Sequence, residues 1–215
     1  MSLRRLVWLV LLCAAVGTNL GNRQAPSSGD LIDSVLAVVE NQVIMRSDVR
    51  IFVALGLIEP PESTDLTAAV LTALIERRLI LEEVARYVVE APSPDEVDVC
   101  LARIVARVGG PVDLNKVLLA TGFTGEDLRE VIRDDLLIER YLARRFVSAR
   151  QPDDVDVVTY FRDHVDEFRV DGVPQSFDSA QEEVRRRLSE QLRQELIDDW
   201  VASLMVRADV IRVAP

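Results

Sequence analysis

The sequence has few of the residues on which metal binding, disulfide bonding and acid–base catalysis usually depend. Its 215 residues include one histidine, His164, and two cysteines, Cys13 and Cys100. Two cysteines cannot build a disulfide framework, and a metal site needs more imidazole or thiolate ligands at suitable spacing. Lys116 is the single lysine, since every other basic residue is arginine. Stability must therefore come mainly from the packing of apolar side chains.

Sequence motifs of catalysis and nucleotide binding are also missing. The chain has no G-x-S-x-G, H-E-x-x-H or phosphate-binding loop, and none of its nine glycines precedes a lysine. Acidic pairs such as Asp134-Asp135 do not converge, because neighbouring residues on a helix point about 100° apart. Asp153, Asp154 and Asp156 lack the glycine and terminal glutamate of a calcium loop. We expect no catalytic residue, no cofactor and no metal ion.

Acidic residues outnumber basic ones, 36 to 25, which gives a net charge of −11. A chain of this charge repels phosphate backbones and anionic lipid head groups. The charge therefore argues against nucleic acid as a partner.

The N-terminus has the layout of a secretory signal. Arg4 and Arg5 precede the apolar run Leu6–Val16, and Ala15-Val16-Gly17 offers small residues for cleavage before Thr18. The run is shorter than the roughly 20 residues that a membrane-spanning helix needs. We predict a signal peptide over 1–17, a flexible lead-in over 18–31, export to the periplasm and no stable membrane insertion. A lipoprotein signal at Cys13, or cleavage elsewhere before Pro26, remains open.

A β-hairpin that leads into a helix is the clearest local pattern. Apolar residues crowd a first strand over 35–39, Glu40-Asn41 form a two-residue turn, and Val43, Ile44 and Met45 return as a second strand. Ser47 offers an N-cap for a helix that begins at Asp48. The sequence therefore predicts a small sheet at the entrance of the fold.

The rest of the chain is predicted to be mainly α-helical. Start signals are clear at Ser93-Pro94-Asp95-Glu96, a capping box with proline at the first helical position, and at Thr124. Apolar residues at three- and four-residue spacing predict helices over 47–57, 65–88, 93–108, 114–120, 126–146, 153–168 and 179–208. A final strand over 210–213 is predicted to pair with the hairpin. The fold class is thus a helical core with a small β-hairpin joined by a C-terminal strand.

Several of these segments, in this order, resemble the SurA-type periplasmic chaperones. They are the hairpin, the helix that contains Leu74–Ala85 with the capped Ser93–Val97, the helix ending in YFRDHVDEF, and Phe177–Val213. The resemblance implies one SurA-like helical domain over 32–213. The sequence departs from the family pattern at Glu40, where a small turn-forming residue is expected.

The parvulin prolyl-isomerase domain of such relatives is missing from the pattern. In them it lies between the lead-in helix and the returning helix, and a domain needs on the order of a hundred residues. Here residues 169–176 alone separate Phe168 from Phe177, so we expect a short loop and no enzyme activity. The single histidine also argues against a parvulin site, which commonly uses a pair.

The resemblance implies an ATP-independent holdase that binds unfolded outer-membrane proteins through an apolar cleft. Candidate client-binding residues are Met45, Phe52, Leu55 and Phe123, because they lie near the ends of predicted elements or in loops. Two alternatives stay open. One is an isomerase-related foldase; the other is a structural subunit that packs on one folded partner, or on itself as a homodimer.

Overall fold

The computed structural model describes residues 33–58, 65–147, 151–170 and 172–213. Five short strands lie in this part of the chain, namely β1 (Val35–Val39), β2 (Gln42–Met45), β3 (Arg169–Val170), β4 (Val173–Pro174) and β5 (Val210–Arg212). The helices there are α1 (Arg46–Ala54), α2 (Leu66–Val84), α3 (Pro94–Arg107), α4 (Pro111–Thr121), α5 (Gly125–Arg145), α6 (Asp154–Asp163) and α7 (Phe177–Arg207). The mainly helical fold class is confirmed. The predicted signal peptide and lead-in lie outside the described residues.

The predicted hairpin is present, and its turn residue Glu40 also contacts the C-terminal segment. Glu40 and Asn41 have φ angles of 46° and 68°, the left-handed pair that a two-residue hairpin turn requires. The Glu40 amide donates to the carbonyl of Asp209 over 3.2 Å. In return, the amide of Asp209 donates to Oε1 of Glu40 over 3.1 Å. A glutamate at the turn therefore fastens the hairpin to the start of β5.

The C-terminal strand closes the fold onto the hairpin, as predicted. β5 pairs antiparallel with β1, with Val38 opposite Ile211, and the strand order is β2-β1-β5. Ala37 and Val39 of the central strand β1 are fully buried. Residues 171 to 175 positions apart in the sequence thus pair in one small sheet, and β2 forms an edge of it.

The capping predictions succeed at two helices and are wrong at a third. Ser93 caps α3 and Thr124 caps α5, each accepting a hydrogen bond from the third helical amide. Ser47 does not cap α1, which begins one residue before it. Its hydroxyl donates instead to Asp33, and Asp48 accepts a hydrogen bond from the Met45 amide over 2.7 Å. The start of α1 is thus stabilised by the Asp48 carboxylate, from within the first turn, and not by a hydrogen bond to the Ser47 hydroxyl.

Three predicted helices are too long at their C-terminal ends. α1 stops at Ala54 rather than Leu57, α2 at Val84 rather than Val88, and α6 at Asp163 rather than Phe168. After α6, a short 3-10 turn over Val165–Glu167 follows, and it directs Phe168 into a core where only 2% of it is exposed. The apolar spacing of this segment reflects the burial of Phe168 after a turn, not a continuing helix.

Helix α7 joins two hydrophobic clusters. Its first half packs on α6 through Ala180, Val184 and Leu188, together with Phe168. Its second half buries Ile197, Val201 and Leu204, of which Leu204 belongs to the main core. A spacing of four residues drifts by about 40° per step around the helix, so the buried stripe changes position along it. Leu196, in the predicted stripe, is consequently 42% exposed.

The connection between α6 and α7 contains more order than the predicted loop. β3 and β4 pair as a small antiparallel ladder, with Arg169 opposite Pro174 and Val170 opposite Val173. Gly172 beside the turn has a φ of 81°, which favours glycine. Phe168 and Phe177, one on each side, both pack in the smaller cluster.

Within the described ranges, no helix combines the length and the apolar character that crossing a membrane requires.

Candidate functional site

A cavity of about 740 Å³ lies where the hairpin, α1, α2 and α5 meet. Its walls are β2, the first turns of α1, the middle of α2, and the corner between α4 and α5. Gly122 makes that corner with a φ of 77°, and the amide of Phe123 donates to the carbonyl of Leu118 over 3.1 Å. The corner therefore places Phe123 in the lining of the cavity, to which β2 also contributes.

Apolar side chains form part of the cavity surface. They are Val43 and Ile44 of β2, Phe52 of α1, Leu74 of α2, Phe123 of the corner and Val131 of α5. Phe52 is almost wholly buried, whereas Phe123 is half-buried and Val43 is 45% exposed. The two phenylalanines have different roles, since Phe52 belongs to the core and Phe123 is packed against it at the rim.

The four sequence-predicted binding residues do not lie together. Phe52 and Phe123 line the cavity, although 71 positions separate them in the sequence. Met45 precedes α1 and is half-buried outside the lining. Leu55 is fully buried, so in this conformation it presents no surface to a client. Val43 was not among the predicted residues; its position in the middle of the shorter hairpin strand was the available signal.

The backbone of Val43 faces the open edge of the sheet. Hydrogen bonds from Glu40 to Asp209 and from Val213 to Leu36 fix the β1–β5 register so that the backbone groups of Val38 point toward β5. Val43 lies opposite Val38 on the other side, so its own N–H and C=O point away from β1. β2 is an edge strand and Val43 lines the cavity, so these two groups lie at the sheet edge beside the cavity.

The cavity is also strongly charged. Five carboxylates line it, from Asp33, Asp48, Asp127, Glu130 and Asp134, against two guanidinium groups, from Arg77 and Arg78. Asp33 accepts hydrogen bonds from the amides of Ser34 and Ser47, both at 3.0 Å. Asp127 completes the capping box of α5 by accepting a hydrogen bond from the amide of Thr124 over 2.8 Å. The carboxylates therefore also shape the elements that form the walls.

Arg77 connects α2 to α5 beneath the cavity. Its Nε donates to Asp135 over 2.8 Å, and its Nη2 donates to the carbonyl of Val131 over 3.1 Å and lies 3.4 Å from Asp134. The guanidinium also lies 5.4 Å from the centre of the Phe52 ring. Only 15% of its side chain is exposed. One partly buried cation therefore fixes both the aromatic floor and the acidic wall of the cavity.

Burial and hydrogen bonding shift the carboxylate pKa values in opposite directions. Desolvation raises the pKa of Asp48 despite the hydrogen bond from Met45, and it raises the pKa of Asp134 despite the nearby Arg77. At Asp33, burial also favours the neutral form, but hydrogen bonds from Ser47 and Ser34 outweigh it and lower the pKa. Hydrogen bonds from Thr124 lower the pKa of Asp127. At Asp48, burial therefore disfavours the charged form more than the hydrogen bond from Met45 favours it.

The Asp48→Asn variant tests this electrostatic strain. Because the pKa of Asp48 is higher in the folded state than in the unfolded state, the folded state binds its proton first as the pH falls. The stability of the native protein relative to Asp48→Asn should thus increase as the pH falls through the raised pKa, and level off below the unfolded value. Urea unfolding at pH 7.0 and at lower pH measures it. A constant difference would contradict the shift.

The remaining singled-out side chains have structural surroundings. His164 is the C-cap residue after α6, stacks on Tyr160 with ring centres 4.1 Å apart, and places Nδ1 2.9 Å from the Tyr160 carbonyl. Cys100 is half-buried in α3 and lines a separate cavity of about 380 Å³. In the part of the chain that the structure describes, no three acidic, histidine or cysteine residues are grouped so as to hold a metal ion.

Comparisons with known proteins show one similarity in sequence and one in fold. No protein-family model matches the chain. It is 31% identical to the chaperone SurA of Pseudomonas syringae pv. tomato over 137 residues, which are 60% of this chain and 32% of that protein. The chain thus spans about a third of the length of this curated relative.

The fold is similar to that of a solved chain from work on PEB4 and Cj1289 of Campylobacter jejuni, which are described as two structurally related SurA-like chaperones. The TM-score is 0.52 at 12% sequence identity, over 85% of this chain and 100% of that chain. At this identity the likeness concerns the fold alone. The resemblance found in the sequence is therefore confirmed: this chain is SurA-like, in sequence over those 137 residues and in fold over most of its length.

Proposed function

We propose that this protein is an ATP-independent holdase chaperone, exported to the periplasm, that binds unfolded outer-membrane proteins at the cavity beside β2. The observation that supports it best is the combination of an open strand edge at Val43 with Phe52 and Phe123 around one space of about 740 Å³. An extended segment can use both features at once, because strand pairing leaves alternate side chains on each face.

Binding in this proposal begins with backbone pairing. A client segment lies along β2 and exchanges hydrogen bonds with the N–H and C=O of Val43. Side chains on one face of the segment then enter the cavity and pack on Phe123. Pairing of this kind recognises the client backbone and depends little on the identity of the client side chains, which suits a chaperone with many clients.

Affinity at this single place is expected to be low. β2 has four residues, and the amide of Met45 is already bonded to Asp48. A hydrogen bond contributes a net of about 1 kcal/mol. Such a site releases its client readily, so no nucleotide hydrolysis is needed for release, and stable holding requires several weak contacts along one client.

A Val43→Pro variant tests the strand edge. Proline removes the outward N–H without removing a hydrogen bond to β1, and edge strands tolerate it. We expect it to weaken binding of an unfolded outer-membrane protein about fivefold, as the loss of about 1 kcal/mol requires. Phe123→Ala should weaken binding by a similar factor through lost apolar contact.

Suppression of client aggregation, measured by light scattering, and binding, measured by fluorescence anisotropy, provide the readouts. The matched control is Leu119→Ala, since Leu119 is 74% exposed on α4 and does not line the cavity. No suppression by the unaltered protein at stoichiometric excess would reject the holdase. Catalysis in a protease-coupled proline-peptide assay would favour an isomerase, and one stoichiometric folded partner in a pull-down would favour a structural subunit.

A further inference from the structure

The charge of the cavity wall points to a chemical preference among clients. Of the five lining carboxylates, Asp134 pairs with Arg77 at 3.4 Å. Within the described residues, no ion pair within 4.0 Å joins Asp33, Asp48, Asp127 or Glu130 to a basic side chain. Arg50 acts on Asp33 and Arg133 on Glu130 from outside the lining, but the lining itself holds five carboxylates against two guanidinium groups, an excess of negative charge.

The two arginines of the cavity do not change this sign. Arg77 is engaged with Asp134 and also with Asp135, which lies outside the lining of this cavity. Arg78 is one cation among the remaining carboxylates. The overall net charge of −11 adds a field of the same sign around the cavity.

The carboxylates lie beside the apolar contacts rather than away from them. Asp127 and Glu130 are exposed on the first turns of α5, three residues apart and so on one face, next to Val131 and the Phe123 corner. Asp48 lies at the start of α1, directly after the edge strand. A segment paired with Val43 would therefore run between acidic groups on two walls.

We propose that this cavity selects client segments in which arginine or lysine neighbours an apolar residue. The inference rests on the proposed function, because it concerns the same site and the same extended mode of binding. The apolar residue packs on Phe123, while the flexible cationic side chain reaches Asp127 and Glu130 at the rim. An acidic residue at that position would meet carboxylates of its own sign. The site thus discriminates between segments of equal apolarity by their charge.

Three synthetic peptides test the preference on the full chain. All three peptides have an apolar residue at every second position, phenylalanine and valine in turn. The positions between these apolar residues are lysine in the first peptide, glutamine in the second and glutamate in the third. We expect the lysine peptide to bind about tenfold more tightly than the glutamate peptide at low salt, with the glutamine peptide between them. Raising the sodium chloride concentration should reduce this ratio, since exposed ion pairs are screened.

Two double variants separate the cavity from the overall charge. Asp127→Asn with Glu130→Gln removes two carboxylates from the rim and retains an acceptor at the α5 cap. Glu195→Gln with Asp199→Asn removes two from exposed positions of α7 outside the cavity. The first should reduce the lysine-to-glutamate ratio at least threefold, and the second should leave it nearly unchanged.

The outcomes distinguish the inference from the proposed function. Equal binding of all three peptides, or tighter binding of the glutamate peptide, would overturn the charge preference and leave the holdase standing. An equal effect of both double variants would also overturn it, because the preference would then belong to the whole surface. Failure of every peptide to bind, together with no suppression of client aggregation, would overturn both.

Discussion

Replacing Leu55 by alanine is expected to lower the free energy of unfolding by about 3 kcal/mol. Leu55 is fully buried at the end of α1, in the main core, and its amide donates to the carbonyl of Ile51 over 3.0 Å. Truncation removes the transfer free energy of the side chain and leaves a cavity that its neighbours fill only in part. Urea unfolding followed by circular dichroism at 25 °C measures the change.

The same chemical change at Leu119 is the control for this prediction. Leu119 is 74% exposed, so its replacement by alanine should alter stability by less than about 0.5 kcal/mol. A loss below 1 kcal/mol at Leu55 would contradict the described packing. Client binding by the folded fraction of Leu55→Ala also bears on function, because a retained affinity assigns this residue to the core and not to client contact.

Replacing Arg77 by alanine is expected to cost about 2 to 3 kcal/mol of stability. The substitution removes charge-assisted hydrogen bonds to Asp135 and to the Val131 carbonyl, which are worth more than neutral ones. It also leaves two partly buried carboxylates without their cation. Because 31% and 44% of the Asp134 and Asp135 side chains are exposed, water offsets part of the loss, and the expected cost lies below that of a fully buried pair.

A double-mutant cycle isolates the contact. Arg77→Ala and Asp135→Ala, made singly and together, should show a coupling free energy of about 1 kcal/mol or more. Arg78→Ala is the neighbouring control, and it should cost less than about 1 kcal/mol, because no ion pair within 4.0 Å joins Arg78 to another described residue. Additive single and double variants would show that the contact with Asp135 contributes little, and that Arg77 acts through its other contacts, with the Val131 carbonyl, Asp134 and Phe52.

The sequence predicted the parts of the fold that local chemistry controls. The hairpin follows from apolar strands on either side of a two-residue turn, and the α3 and α5 starts follow from Ser93 and Thr124 with acids three residues on. Each of these signals lies within a few residues, so the backbone preference and the hydrogen-bond partner are both visible in the sequence. Phe52, which the sequence offered as a candidate client-binding residue, lines the cavity.

Where partners lie far apart in the chain, sequence reasoning was less successful. The prediction that Ser47 caps α1 was wrong, because the Ser47 hydroxyl donates a hydrogen bond to Asp33, which precedes the hairpin. The end of α6 was wrong because Phe168 turns into a cluster with α7. The charged wall of the cavity was not predicted, since acids in α1 and α5 look like ordinary solvent-facing residues until the helices are packed.

The sequence by itself determined the identities of the seven helices in the described residues and of the strands β1, β2 and β5, the pairing of hairpin and C-terminal strand, and the resemblance to SurA-type chaperones. Only the tertiary structure decided that Phe52 and Phe123 share one cavity, that Leu55 belongs to the core, and that five carboxylates line the same cavity as the edge strand β2. The physical reason is the range of the forces. Turns and caps depend on neighbours in the chain, whereas cavities and charge clusters depend on which distant side chains packing brings together.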